Sequence, residues 1–101
     1  MKITFRRSGG FAPRLLGLDI DTDSAEAAES EKLRRLVEES GILGMSGAQQ
    51  KGARDVNLYH FEIESDQGIH KVTFDQLSIP DTVKPLVKFF NERARDLMPE
   101  T

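Results

Sequence analysis

Hydrophobic and polar residues alternate along the first stretch of the chain, with Ile3 and Phe5 on one face and Lys2, Thr4 and Arg6 on the other. A period of two predicts a half-buried strand over residues 2–7. Alternation resumes over 14–21, where Leu16, Leu18 and Ile20 share a face against Leu15, Gly17, Asp19 and Asp21. These two runs are close enough to pair antiparallel. The period then lengthens: Leu33, Leu36, Val37 and Ser40 fall on one stripe at helical spacing, predicting a helix over about 24–40. Asp23 and Glu26 supply a capping box at its start, and Glu26, Glu29 and Glu31 suit the positive end of its dipole. Traced upstream the stripe meets Ser30, Glu29 and Glu26, so the first turns are expected to project past the core. Gly41 fits a left-handed cap, with Ile42 folding back on the last turn.

Residues 44–54 carry three glycines and few large apolar side chains, and read as a long mobile loop. Alternation returns at 56–65, with Tyr59, Phe61 and Ile63 on one face, and again at 69–75, with His70, Val72 and Phe74 together. Matching these faces across Asp66-Gln67-Gly68 requires an even-numbered loop, whereas the Gly after two turn residues suggests a three-residue loop with a bulge. A last helix starts near Asp81 with Pro85 in its first turn, and presents Leu86, Phe89, Phe90, Arg93 or Ala94, and Leu97. The order ββαββα predicts an α+β fold in which a four-stranded, mainly antiparallel sheet carries two helices on one face.

At 101 residues the chain is one domain, 1–101. A chain of this size buries roughly 65% of its unfolded surface. The net charge of −3 is small and the charged fraction of 31% is typical of a folded chain, which argues against disorder and against nucleic acid as the main partner. The lack of cysteine excludes disulfides and thiolate chemistry. With no signal-like segment and no long apolar run, a cytoplasmic location without membrane contact is expected, and the domain is expected to act as a monomer.

Candidate chemistry thins out on inspection. Asp19, Asp21 and Asp23 have the one-three-five spacing that opens a calcium loop, but Ser24 and Ser30 stand where that loop needs Gly and Glu. The histidines, His60 and His70, point to opposite faces under an even loop. Under a three-residue loop they share a face but stand about 13 Å apart; neither arrangement closes on one metal. Ser8 lacks a nucleophile elbow and has no His near it in sequence. No cofactor, metal site or catalytic constellation is expected, and by elimination the domain binds rather than catalyses.

One stretch stands apart. Arg7-Ser8-Gly9-Gly10-Phe11-Ala12-Pro13 breaks the first strand with two glycines and then an aromatic, among Arg6, Arg7 and Arg14. Phe11 is either a lid over the core or a side chain presented to a partner. The 44–54 loop and the sheet face carrying Lys2, Thr4 and Arg6 are further candidate surfaces.

Together, Arg7-Ser8-Gly9-Gly10-Phe11-Ala12, the Asp19-x-Asp21 strand end, Leu33-x-x-Leu36-Val37-Glu38, Tyr59-His60-Phe61-Glu62-Ile63 and Ile79-Pro80-x-x-x-x-Pro85-Leu86-Val87 resemble the emfourin family over about residues 2–95. Emfourins are small protein inhibitors of protealysin-like and thermolysin-like zinc metallopeptidases. The resemblance implies noncovalent blockade of a peptidase cleft by a preorganised loop, with Arg7, Ser8, Gly9, Gly10, Phe11, Ala12 and Pro13 as target-binding residues and Phe11 as apolar anchor. Pro13 departs from the Gly that commonly follows Phe-Ala in the family. The alternative is a non-inhibitory adaptor or regulatory subunit that uses the acidic first helix.

Overall fold

In the computed structural model, which describes residues 1–9, 15–45, 47–49 and 56–97, the first alternation becomes β1 (Lys2–Gly9) and the second β2 (Leu16–Asp21). They pair antiparallel with Ile3 opposite Ile20, Phe5 opposite Leu18 and Arg7 opposite Leu16, so both apolar rows lie on one face. A 14-residue helix, α1 (Ala27–Ser40), follows. A 3-10 turn (Ile42–Gly44) leads to the short strand β3 (Gly47–Gln49). Then come the hairpin strands β4 (Asn57–Ser65) and β5 (Gly68–Asp75), the helix α2 (Lys84–Asn91) and a two-residue strand β6 (Arg95–Asp96).

The sheet order is β3-β5-β4-β1-β2-β6. The α+β class, the two helices and the antiparallel centre agree with the sequence, but the sheet has more than the four strands expected. The added edges are the short β3, parallel to β5, and β6, which meets β2 only at Leu16 and Gly17. Part of the expected 44–54 loop is therefore structured, as the 3-10 turn and β3. Residues 46 and 50–54 lie outside the described residues. Leu97 does not extend the α2 stripe: the helix ends at Asn91, and Leu97 donates its backbone N–H to Leu15 beside β2.

The β4–β5 turn is the even one. Ser65 pairs with Gly68 around a two-residue loop, which sets Tyr59 opposite Phe74, Phe61 opposite Val72 and Ile63 opposite His70. Burial of those rows decides the register, because a one-residue slip would turn them all to water. Gly68 takes φ 114°, which accommodates the tight connection.

The start of α1 differs from expectation. Asp21 accepts from the Asp23 backbone N–H at 2.9 Å, and its carbonyl accepts from Ser24 and Ala25. The resulting turn occupies residues 22–25 and delays the helix to Ala27, with Glu26 at the cap position and no side-chain cap bond. Ser30, expected beyond the core, is buried, and its hydroxyl donates to the Thr22 carbonyl at 2.9 Å. The other end is as expected: Gly41 adopts φ 70°, ψ 12°, its N–H reaches the Glu38 carbonyl, and Ile42 is fully buried.

Both helices cover the apolar face, and the core is largely aromatic. Phe90 stacks on Phe5 with centroids 5.1 Å apart, meets Phe61 edge-on at 5.8 Å and touches Phe89 at 5.4 Å. Phe5 in turn contacts Phe61 and Tyr59. The helices meet where the Arg93 guanidinium lies 3.8 Å over the Phe89 ring and 3.5 Å from Glu29 of α1. Thr82 also donates to the Ser40 carbonyl.

Because Phe90 is fully enclosed, Phe90→Ala should cost about 3–5 kcal/mol of unfolding free energy. Chemical denaturation should show this as a lowered midpoint, with Phe90→Leu lying between the variant and the parent.

Candidate functional site

The glycine-aromatic segment starts and ends at one end of the sheet. β1 runs to Gly9, opposite Asn57 at the start of β4, and β2 starts at Leu16 opposite Arg7. Segments 10–14 and 50–55 therefore attach at neighbouring backbone positions. Of the seven predicted contact residues, Arg7, Ser8 and Gly9 are described; Gly10, Phe11, Ala12 and Pro13 lie outside the described residues, as do Arg14 and the choice between lid and anchor for Phe11.

The framework beneath this end is held from three sides. Gln76 donates its backbone N–H to the Asn57 carbonyl, and its side-chain amide oxygen accepts from the Asn57 N–H, which clamps the start of β4. Buried Asp75 accepts from the Leu77 N–H and the Ser78 hydroxyl at 2.8 and 2.7 Å and sets the turn that carries Gln76. Gly9 sits at φ 95°, and a Cβ there would come within 2.7 Å of the Val56 carbonyl oxygen. Glycine is required at this position both for conformation and for the close approach of the two strands.

The two adjacent arginines go opposite ways, as strand alternation demands. Arg6 lies on the outer face across Gly17 and bonds Asp19 at 2.7 Å and the Phe5 carbonyl at 2.8 Å. Arg7 turns to the helix face and donates to Asn91 Oδ1 at the end of α2, at 3.1 Å. Neither is the solvated strand end that their position suggests. Arg7 ties the end of β1 to α2, so its side chain supports the candidate site from behind.

Sequence distance hid the neighbour of Ser8. Its Oγ lies 3.3 Å from His60 Nε2, and His60 Nδ1 lies 2.9 Å from Thr73 Oγ1. The three residues form a polar row across β1, β4 and β5 on the outer face. The signal was present in the register: with a two-residue β4–β5 loop, His60 falls opposite Thr73 and diagonal to Ser8. Burial holds the His60 pKa below the ordinary imidazole range. The connectivity is that of a nucleophile and base, but the third member is a hydroxyl, which lends no negative charge to an imidazolium. The row suits fastening strands better than acyl transfer.

His70 points the other way and bonds the Ile42 carbonyl through Nε2 at 3.0 Å. Asp19, Asp21 and Asp23 are drawn to separate partners: Arg6, the Asp23 N–H, and Arg34 together with the N-terminus. Among the described residues, no group of three or more His, Cys, Asp or Glu is placed to hold a metal ion.

A family model described as Emfourin matches residues 5–91, and the chain belongs to the emfourin family. Membership implies a role in protease inhibition in general. Neither the curated proteins nor the solved structures give a significant match.

The His60 environment makes stability depend on pH. Its folded pKa is depressed, so below about pH 6.5 the unfolded chain takes up a proton that the folded chain refuses. This contribution is complete above the unfolded pKa and is lost as pH falls towards the folded one. Unfolding midpoints measured from pH 7.5 downwards should fall less steeply for His60→Gln than for the parent, in the range above about pH 5 where carboxylates contribute little.

Proposed function

We propose that this emfourin-family chain is a noncovalent inhibitor of a thermolysin-like or protealysin-like zinc metallopeptidase. It acts as a cytoplasmic monomer and closes the active-site cleft with residues 8–13, carried on the end of the sheet. The observation that carries this reading is the rigid origin of that segment. β1 is paired on both sides up to Arg7, Arg7 is bonded to α2, and Gly9 approaches the chain before β4 too closely for any other residue. A segment held at its root loses less entropy on docking than a free peptide does, which favours binding. Phe11 supplies the apolar anchor of the kind that such clefts accept beside the scissile bond. Segment 50–55, which leads into Val56 beside Gly9, is the further candidate contact surface.

The adaptor alternative draws no support from α1. Its exposed acids Glu31, Glu38 and Glu39 are interleaved with Lys32, Arg34 and Arg35, and Arg35 pairs with Glu31. That is a mixed, solvated helix surface rather than a uniform acidic patch.

Titrating the purified chain into thermolysin and into a protealysin-like enzyme should abolish peptide hydrolysis of at least one of them at stoichiometric excess. Full activity of both at that ratio contradicts the reading. Phe11→Ala should weaken inhibition by about 2 kcal/mol, roughly 30-fold, if the ring is an interface anchor. Gly9→Ala should weaken it as well, by moving the root of the segment against the Val56 carbonyl.

A further inference from the structure

β1 leads directly into the candidate contact segment. Among the described residues its pairing with β2 is seen as far as Arg7–Leu16, and its pairing with β4 continues through Ser8–Leu58 and Gly9–Asn57. Ser8 and Gly9, the first residues of that segment, are thus held to β4 by strand pairing. Here the outer-face side chains bridge the sheet: Ser8 Oγ to His60 Nε2 at 3.3 Å, and His60 Nδ1 to Thr73 Oγ1 at 2.9 Å. Both ring nitrogens are engaged, so the imidazole cannot swing without giving up a bond. Thr73 anchors it from β5, which is paired to β4 along its length.

We propose that His60 is a positioning residue for the target-binding segment, adding a side-chain tie from Ser8 to β4, the strand on which Ser8 and Gly9 are paired. Its functional consequence rests on the inhibitor reading above; the fastening itself does not.

Burial of the ring between its two hydroxyl partners also makes the fastening pH-sensitive. Arg6 on β1 faces His60 and is held by Asp19 of β2; Glu62 follows on β4 and is held 3.5 Å from Lys71 of β5. Both nearby cations thus have acidic partners, and neither carboxylate bonds the imidazole. A proton on His60 gains no direct counter-charge while meeting burial, which holds its pKa below the ordinary imidazole range. The neutral ring is the form that this face accommodates, and protonation turns its accepting nitrogen into a donor, so that the hydroxyl facing that nitrogen must reorient to accept.

Two measurements test this on the intact protein. In amide NMR spectra of the free chain recorded from pH 7.5 to 5, the Gly9 amide should follow the titration of the His60 ring. Ser8→Ala should remove most of that response while the Thr73 amide keeps its own. A Gly9 amide that ignores the His60 titration, or that responds equally in Ser8→Ala, overturns the proposal. In inhibition assays against a susceptible thermolysin-family enzyme, His60→Ala should weaken binding about tenfold, the worth of one ordinary hydrogen bond. His60→Gln, whose amide can take the Nε2 position, should restore it and flatten its pH dependence, whereas His60→Asn, which can reach only towards Thr73, should not. Equal inhibition by parent and His60→Ala overturns the proposal. If the parent inhibits no enzyme of the family, the inhibitor reading fails while the NMR result still decides the fastening.

Discussion

The stack of Phe5 on Phe90 is the contact on which the other features depend. Phe5 sits in the middle of β1, one of the two central strands of the sheet, with no exposed surface, and Phe90 sits on the buried side of α2. Their packing, extended by Phe61, fixes the height and rotation of α2 over β1 and β4. An eight-residue helix has little stability of its own, so this aromatic seam holds it. With α2 in place, Asn91 reaches Arg7, and Arg93 is laid between Phe89 and Glu29, which brings α1 into the same layer.

Strand alternation carries that constraint out to the candidate site. Once Phe5 points inward, Arg6 must point out to Asp19, Arg7 in to α2, and Ser8 out to His60. Consecutive residues are thus fastened on alternate faces of the sheet up to Gly9, where only the absence of a side chain lets β1 pass Val56. A small domain of this kind can hold a short segment firmly enough for it to compete for a cleft. In this account binding strength comes from the fixed root of the segment as much as from its aromatic side chain.

Much of this was legible in the chain because it follows from local period. The β4 and β5 rows, the β1 and β2 rows, and the Gly41 cap all announce themselves through alternation, helical spacing or a single conformationally permissive residue. What escaped the reading is non-local. Gly47-Ala48-Gln49 has no alternation to betray a strand and is recruited by the free edge of β5. Ser30 reads as polar but is buried because Thr22 offers it a carbonyl. Asp23 reads as a helix cap, yet Asp21 two residues earlier competes for its N–H and wins. Ser8 and His60 are 52 positions apart, and only the register of β1 on β4 brings them together. The family resemblance, carried by motifs along most of the chain, agreed with the match over residues 5–91.

The central claim is that the sheet end carrying residues 8–13, and not the helix layer, meets the target. Amide hydrogen exchange of the chain alone and in the presence of an inhibited thermolysin-family metallopeptidase tests it most directly. The account predicts new protection concentrated over residues 8–16 and 50–57, with the exposed side of α1 unchanged. Protection over residues 31–39 of α1, with 8–16 exchanging as in the free chain, would contradict it.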